Sequence, residues 1–222
     1  MARLARIVVP GVPHHIVQRG NRRQDVFFSD ADKNLYIDLI SKACAKHGVD
    51  IWSWCLMSNH VHFIAVPAQD NSLAKCFSDA HVRYTRMINL REKWQGHLWQ
   101  GRFSSSPLDE RYLLAAVRYV ERNPVRAKMV RLPWEYEYSS ASYHTGEKKI
   151  DPLIKNDRTL HDLIDSWRDY LDNKDADDDL SRIRKEESGG RPIGSESFIK
   201  DLEKKLNRSL DRGTPGRPRR LD

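Results

Sequence analysis

The sequence contains few cysteines and no long apolar run. Its three cysteines, Cys44, Cys55 and Cys76, are odd in number and widely spaced, so they indicate neither a disulfide framework nor a zinc site of the Cys-x-x-Cys type. The first apolar run, residues 7–9, stops at Pro10 and is too short for a signal peptide or a membrane span. We therefore expect a protein of the reducing cytoplasm that does not cross a membrane.

The chain is instead rich in positive charge. Its 222 residues include 38 Lys and Arg against 31 Asp and Glu, a formal net charge of +7, and 39% of the residues are hydrophobic. This length and composition suffice for one well-packed core with an appended segment. The basic surface favours a polyanionic partner, because its net charge attracts anions.

The apolar pattern predicts an α+β fold of six elements followed by a further helix. Turn and cap residues separate the elements; for example, Gly48 ends the first helix and Pro67 follows a hairpin. The predicted elements are a strand over residues 12–18, a helix over 29–47, hairpin strands over 50–57 and 60–66, a helix over 72–90, a strand over 98–107, and a helix from 109 to about 123.

Two histidines separated by one residue begin the second strand of the hairpin. Side chains alternate between faces along a strand, so His60 and His62 point the same way and offer two neutral nitrogens to one divalent ion. A His-x-His pair is a weak motif by itself, and packed or surface histidines are the alternative. His14 and His15, on opposite faces of the first strand, are interpreted as structural.

A loop with three arginines follows the first strand. Arg19, Arg22 and Arg23 lie on either side of Asn21, and guanidinium groups match phosphate oxygens in paired hydrogen bonds. The loop is thus a candidate phosphate clamp, with a solvated basic turn as the alternative.

The third predicted helix carries a tyrosine one turn before its end. Acidic Asp109 and Glu110 suit a helix start, and Pro124 cannot continue the helix, which should end near Asn123. Tyr119 and Asn123 are four residues apart, so they project from one side of the helix. Taken alone, Tyr119 is better interpreted as a tyrosine of the helix surface and Asn123 as a simple helix C-cap than as functional residues.

Four segments in this order resemble the single-tyrosine transposases of the His-hydrophobe-His class, and in particular the REP-associated tyrosine transposases. Four ordered motifs at compatible spacings are far more specific than any one of them. The resemblance covers residues 12–140 and implies a ferredoxin-like βαββαβ antiparallel sheet followed by the tyrosine helix, which agrees with the element order. The segments are Arg19-Gly20-Asn21, Met57-Ser58-Asn59-His60-Val61-His62, Leu98-Trp99-Gln100-Gly101-Arg102-Phe103 and Arg118-Tyr119-Val120-Glu121-Arg122-Asn123-Pro124-Val125-Arg126-Ala127.

The resemblance also implies a site and a reaction. Tyr119 would be the catalytic nucleophile, and His60, His62 and Asn123 would hold a Mg²⁺ or Mn²⁺ ion. The enzyme would cleave and rejoin single-stranded DNA beside a hairpin, such as a REP-like palindromic repeat, through a 5′-phosphotyrosine intermediate. It would act as a monomer or homodimer in the cytoplasm, associated with the nucleoid.

A set of polar residues, nearly all arginines, is expected to contact DNA. Those near Tyr119 would also activate its phenol with positive charge. Trp94 and Trp99 could stack on unpaired bases, although core packing is the more usual role of tryptophan. The expected DNA contacts are Arg19, Asn21, Arg22, Arg23, Arg83, Arg86, Arg102, Arg122, Arg126, Arg191 and Arg217.

A shift in composition divides the chain into a catalytic domain, residues 1–145, and a helical, basic C-terminal extension, residues 146–222. The extension is predicted to contain an amphipathic helix over residues 160–171, an acidic linker over 172–179 and a helix capped by Ser195. Two Gly-Arg-Pro motifs, at Arg191 and Arg217, resemble the AT-hook that enters the minor groove. They suggest that the extension adds DNA affinity; a disordered basic tail is the alternative.

Two other functions are compatible with parts of the sequence. A domesticated DNA-binding regulator would keep the fold without turnover, but it would not need all four predicted active residues. An RNA-binding module on a ferredoxin-like sheet would carry paired aromatic residues on its central strands. Trp52 and Trp54 supply only part of that pattern, and the sequence contains no RNP-type motif.

Overall fold

The computed structural model describes residues 6–155, 158–173, 177–187 and 189–210. None of the helices in these ranges is both long and apolar enough to span a membrane. The strands are β1 (His14–Arg19), β2 (Val49–Leu56), β3 (His60–Pro67) and β4 (Ser104–Pro107). The helices are α1 (Asp30–His47), α2 (Ser72–Glu92), α3 (Glu110–Glu121), α4 (Asn123–Arg126), α5 (Ala141–His144), α6 (Arg158–His161), α7 (Trp167–Asp172), α8 (Asp177–Glu186) and α9 (Glu196–Leu206).

The four strands form one antiparallel sheet in the order β2-β3-β1-β4. This order, with the βαββαβ sequence of elements, confirms the predicted ferredoxin-like fold. The hairpin between β2 and β3 closes as predicted, because the Met57 N–H donates to the His60 carbonyl oxygen at 2.8 Å. The closure places the histidine pair at the start of β3.

Helix α2 packs on one face of the sheet and α3 on the other. Phe63 on β3 packs against Phe77 on α2, with ring centroids 5.4 Å apart. The preceding residue, His62, instead lies 5.8 Å from Tyr119 on α3, again between ring centroids. Successive residues of a strand point to opposite faces, so the α3 face of the sheet is the one that carries the histidine pair.

The predicted limits of α1 are confirmed by its caps. The Ser29 hydroxyl accepts a hydrogen bond from the Asp32 N–H, and the Asp32 carboxylate accepts one from the Ser29 N–H, forming a capping box. Gly48 ends the helix with φ +64°, a left-handed conformation that glycine adopts at little cost because it has no Cβ.

The last strand is shorter than predicted. The sequence predicts a strand over residues 98–107, whereas β4 begins at Ser104. Gly101 has φ +63°, which is incompatible with continuous extended backbone. Trp99 nevertheless forms an isolated antiparallel bridge with Gly20, so the loop before β4 stays attached to the end of β1.

The tyrosine helix α3 ends earlier than predicted. It stops at Glu121, and Arg122, with φ −84° and ψ 0°, separates it from α4. Pro124 lies in the first turn of α4, where its missing N–H has no intrahelical partner to lose. Tyr119 and Asn123 therefore belong to two successive helices.

The C-terminal extension contains more and shorter helices than predicted. Where the sequence predicts one helix over residues 160–171, the structure has α6 and α7, because the Ser166 hydroxyl caps a new helix by accepting from the Asp169 N–H at 3.4 Å. The predicted acidic linker is shortened because α8 begins at Asp177. The Ser195 cap is confirmed, since its hydroxyl accepts from the Phe198 N–H at 3.2 Å.

The extension packs against the sheet and the tyrosine helix. Ile183 joins the main hydrophobic cluster, and the Ile193 N–H donates to the Pro107 carbonyl oxygen at 2.8 Å. Arg191 donates to the Leu210 carbonyl oxygen at 2.8 Å, so the arginine of the first Gly-Arg-Pro motif contacts its own chain in this structure. The second motif, with Arg217, lies outside the described residues, and the division at residue 145 remains a prediction.

Candidate active site

The structure brings the predicted nucleophile and the predicted histidine pair together. The ring centroids of His60 and His62 are 4.9 Å apart, and those of His62 and Tyr119 are 5.8 Å apart. Strand alternation turns both imidazoles toward α3, and the packing of α3 on the sheet turns Tyr119 toward them. The hydroxyl and the ring nitrogens thus share one site within a single chain.

A third histidine, His15 on β1, also lies in this site. Its imidazole stacks on His62 with centroids 5.3 Å apart, and its Nε2 lies 3.0 Å from the His62 Nδ1. Its ring is also 5.8 Å from that of Tyr119. The sequence suggests a structural role for His15; the structure instead places it at the site, because β1 and β3 are neighbouring strands.

Glu187, which follows α8, brings a carboxylate from the C-terminal extension into the site. The Tyr119 hydroxyl donates to the Glu187 Oε1 at 2.5 Å, and an Arg19 guanidinium nitrogen lies 3.5 Å from the other carboxylate oxygen. No motif in the sequence points to Glu187, and it is 68 residues from Tyr119 along the chain.

The buried histidines are neutral, as metal ligands must be. Burial lowers the pKa of His15 and of His60 to about 3, and burial together with the nearby His60 lowers the pKa of His62. One nitrogen of each of His15 and His62 and one oxygen of Glu187 all lie within 4.8 Å of one another. These three residues form a group that could hold a divalent cation.

Two further residues bear on the predicted metal ligands. The His60 Nδ1 lies 2.6 Å from the Asn59 side-chain oxygen, a contact that orients the ring and leaves Nε2 as its ligand nitrogen. The buried side-chain nitrogen of Asn123 makes no hydrogen bond. The set His60, His62 and Asn123 remains a prediction.

The Tyr119 phenol is held in its protonated form. Burial raises its pKa, and the charge of Glu187 raises it further, whereas the charge of Arg126 lowers it. The Arg126 guanidinium carbon lies 4.0 Å from the centre of the Tyr119 ring, and the guanidinium donates to the Tyr119 carbonyl oxygen. Glu187 and Arg126 therefore act on the phenol in opposite directions.

The arginine loop after β1 lies beside this site. Arg19 reaches Glu187, while Arg22 and Arg23 are exposed and have φ values of +54° and +62°, which residues other than glycine rarely adopt. The backbone N–H of Asn21 donates to the Leu98 carbonyl oxygen at 2.8 Å, which joins the loop to the segment before β4.

The other predicted DNA contacts lie in different surroundings. Arg83 pairs with Asp79 at 2.7 Å. Arg86 and Arg102 are exposed and line a cleft on the α2 side of the sheet. Arg122 donates to the carbonyl oxygens of residues 171 and 172 in α7, so it binds the extension.

Known proteins resemble this chain in sequence and fold. A family model described as "Transposase IS200 like" matches residues 8–123, just over half of the chain. A solved REP-associated tyrosine transposase bound to a REP hairpin matches 71% of this chain and 93% of its own, with 18% identity and a TM-score of 0.57. A putative transposase from Deinococcus radiodurans matches 55% of this chain and 97% of its own, with 16% identity and a TM-score of 0.38. No curated protein matches the chain.

Proposed function

Because the chain belongs to the family of IS200-like transposases, we propose that it cleaves and rejoins single-stranded DNA with Tyr119 as its nucleophile. The observation that carries this proposal is the position of the phenol beside the neutral His60 and His62 imidazoles, on one face of the sheet. A nucleophile next to a candidate cation site is an arrangement that supports phosphodiester cleavage, because the cation can neutralise charge on the phosphate that the nucleophile attacks.

In the proposed reaction, the Tyr119 oxygen attacks the phosphorus of a DNA phosphodiester. The bond from the tyrosine oxygen to phosphorus forms and the bond from phosphorus to the 3′ oxygen breaks. The phenol loses its proton and the departing 3′ oxygen gains one, so the products are a 5′-phosphotyrosine and a free 3′-hydroxyl. Attack by a 3′-hydroxyl on the phosphotyrosine reverses these steps and rejoins the strand without another energy source.

Glu187 marks the place where we infer that the substrate phosphate binds. Its carboxylate contacts Arg19 and the Tyr119 hydroxyl, and a phosphodiester offers the same single negative charge and the same kind of acceptor oxygens. A phosphate that replaces Glu187 on Arg19 would lie beside the Tyr119 oxygen. The exchange would also move away the carboxylate that raises the pKa of Tyr119.

The residues of the site fit a divalent cation. The imidazoles are neutral because burial lowers their pKa values, and the His15 Nδ1 is a buried nitrogen without a hydrogen bond. We propose His60, His62 and Asn123 as the residues that hold Mg²⁺ or Mn²⁺, with His15 as a further candidate. When bound, the cation would neutralise charge on the phosphate oxygens.

We further propose that the reacting strand adjoins a hairpin or palindromic repeat. The similar solved transposase is described as bound to a REP hairpin. In this chain the exposed Arg22 and Arg23 lie next to Arg19 at the site, where they are available to the phosphates of a duplex stem.

A denaturing gel tests the proposed reaction. A hairpin-bearing single strand is incubated with Mg²⁺ or Mn²⁺ and either wild type, Tyr119→Phe or Tyr112→Phe. Tyr112 is the matched control, because it lies on the same helix and its hydroxyl accepts from Arg182 at 2.9 Å. We expect a covalent protein-DNA band from wild type and from Tyr112→Phe, and none from Tyr119→Phe. A band from Tyr119→Phe, or none from wild type with either metal, would contradict the proposal.

A further inference from the structure

A large cleft lies on the α2 side of the sheet. Its volume is about 1070 Å³, and it is bounded by the exposed side of α2 and by residues 93–103. Gln18 lines this cleft, whereas its neighbour Arg19 contacts Glu187 at the active site. Adjacent strand residues point to opposite faces, so this α2 cleft and the active site lie on opposite faces at the same end of β1.

Positive charge lines the α2 cleft without a compensating acid. Arg86 and Lys93 lie seven residues apart on one side of the α2 end, Arg102 lies on the loop before β4, and all three are exposed. Among the described residues, no Asp or Glu lines the cleft. By contrast, Arg83 on the same helix is held by Asp79 at 2.7 Å. The lining therefore favours an anionic ligand.

Arg6 adds a second guanidinium next to Arg102. Its guanidinium carbon lies 3.8 Å from the centre of the Phe103 ring, and its Nε donates to the Phe103 carbonyl oxygen at 3.2 Å. Burial lowers the pKa of Arg6, and the charge of Arg102 lowers it further. Two neighbouring cations of this kind repel each other unless an anion binds between them.

An exposed indole forms part of the wall of the α2 cleft. Trp94 is 44% exposed, yet its position is fixed. The backbone N–H of Trp94 donates to the Asn89 carbonyl oxygen at 2.9 Å, and the indole ring lies edge-on to Phe28 with centroids 5.6 Å apart. The Asn89 side chain closes the following turn by donating to the Gly96 carbonyl oxygen at 3.0 Å. A fixed aromatic ring beside cations is the arrangement on which unpaired bases stack.

The loop that carries Arg102 is joined to the strand end that carries Arg19. The Gln100 N–H donates to the Arg19 carbonyl oxygen at 2.8 Å, and Trp99 forms a bridge with Gly20. A DNA strand bound at Arg19 can therefore continue over this loop into the cleft.

We propose that the α2 cleft binds an unpaired nucleotide of the strand that flanks the cleavage site. The base stacks on Trp94, and the adjoining phosphates bind Arg86, Lys93 and Arg102. This inference rests on the proposed action on single-stranded DNA. A base inside a duplex is already stacked and paired, so the cleft distinguishes a single-stranded flank from the hairpin stem.

Equilibrium binding to three DNAs tests the inference. They are a bare hairpin, the same hairpin with single-stranded flanks, and the flanked hairpin with abasic flanks. Binding is measured with EDTA, in the absence of metal-dependent cleavage, for wild type, Trp94→Ala, Arg86→Ala and the control Lys75→Ala, which removes an exposed cation of the same helix that does not line the cleft. We expect wild type to prefer the flanked hairpin. Trp94→Ala should bind it about tenfold more weakly, as for the loss of one stacked base, with no change for the other two DNAs.

The cationic side of the cleft has its own readout. We expect Arg86→Ala to weaken binding of both flanked DNAs and to reduce the dependence of log affinity on log salt by roughly 0.7, the value for one phosphate contact on a single strand. Lys75→Ala should behave as wild type, because Lys75 is exposed on α2 but does not line the cleft.

Equal affinity of wild type and Trp94→Ala for the flanked hairpin would overturn the inference, as would equal losses of affinity in Lys75→Ala and Arg86→Ala. The binding assay does not depend on the chemical step. If wild type forms no covalent band but Trp94→Ala still weakens binding of the flanked hairpin, the proposed reaction is rejected and the inference about the cleft stands. If wild type forms a normal covalent band, but Trp94→Ala and Arg86→Ala both bind the flanked hairpin as tightly as wild type, only the inference about the cleft is rejected.

Discussion

At the scale of single residues, Tyr119 is the proposed nucleophile, and its ionisation depends on its neighbours. Burial and the Glu187 carboxylate raise its pKa, while Arg126 lowers it. Glu187 belongs to the extension, as does Arg184, whose hydrogen bond to the phenol lowers its pKa. Glu187 also shares Arg19 with the phosphate site that we propose. The carboxylate would therefore oppose the proposed reaction in two ways: it disfavours the phenolate, and it would compete with the substrate phosphate for the Arg19 guanidinium.

We expect Glu187→Gln to form the covalent adduct faster than wild type. Removing one negative charge near the phenol and the phosphate is worth about 1 kcal/mol at a partly exposed site, or an increase in initial rate on the order of fivefold. The measurement is the initial rate of adduct formation at fixed pH and metal concentration. Glu187→Asp, which keeps the charge, should stay close to wild type. A slower Glu187→Gln would contradict this expectation and would instead make Glu187 a metal ligand or a participant in proton transfer.

The sequence could reveal some residues of this site and not others. His60 and His62 are foreseeable because strand alternation alone puts them on one face. His15 is not, since its contact with His62 depends on which strands pair and in which register. The pairing of Asp79 with Arg83 is foreseeable from their i,i+4 spacing on a predicted helix. This ion pair distinguishes Arg83 from Arg86, which lines the α2 cleft.

At the scale of elements, a buried polar network fixes the end of the tyrosine helix. Glu121, two residues after Tyr119, is fully buried. Its Oε1 accepts from the Ser53 hydroxyl on β2 at 3.0 Å and from the Ser140 hydroxyl, and it lies 2.6 Å from the His144 Nδ1 on α5. One carboxylate thus ties α3 to the sheet and to α5, which sets the direction of Tyr119.

We expect Glu121→Ala to lower the free energy of unfolding by roughly 3 kcal/mol or more, because it removes the carboxylate that partners the buried His144 and Ser53 side chains. Urea denaturation followed by circular dichroism measures this loss. Glu110→Ala, an exposed glutamate in the first turn of α3, is the matched control and should cost less than about 1 kcal/mol. Equal midpoints for the two variants would show that the network does not stabilise α3.

Helix starts are more predictable from the sequence than the end of α3 and the start of β4. Ser29 and Ser195 act as caps, as their residue type indicates. The sequence does not predict the end of α3, because Pro124 is compatible both with the end of a helix and with the first turn of a new one. In the structure, Pro124 lies in the first turn of α4. The sequence also does not predict the start of β4. The left-handed φ of Gly101 interrupts the extended backbone, and it accompanies the attachment of this loop to the end of β1, a contact between segments distant in sequence.

At the scale of the whole molecule, one chain contains every residue of the candidate active site. Tyr119 lies beside the histidines of its own β3, and the extension of the same chain supplies Glu187. The extension also holds α3 in place, since the Arg118 guanidinium carbon lies 4.5 Å from the centre of the Tyr170 ring on α7. We infer that the tyrosine acts with the histidines of its own subunit.

A complementation experiment tests this inference. Tyr119→Phe and His62→Ala, made with different tags so that their adducts differ in size, are mixed and incubated with hairpin-bearing single-stranded DNA and Mn²⁺. We expect the mixture to form no more covalent adduct than the two variants form when they are assayed separately, because neither chain holds a complete site. Strong adduct on the His62→Ala chain in the mixture alone would mean that two subunits share one site.

The most direct measurement of the central claim is the identity of the residue that carries DNA after cleavage. Trapped adduct is digested with nuclease and protease, and the modified peptide is sequenced by mass spectrometry. We predict a single modification, a nucleotide joined through its 5′ phosphate to the Tyr119 oxygen. A phosphate on any other side chain, or DNA that is cut without ever becoming attached to the protein, would contradict the account.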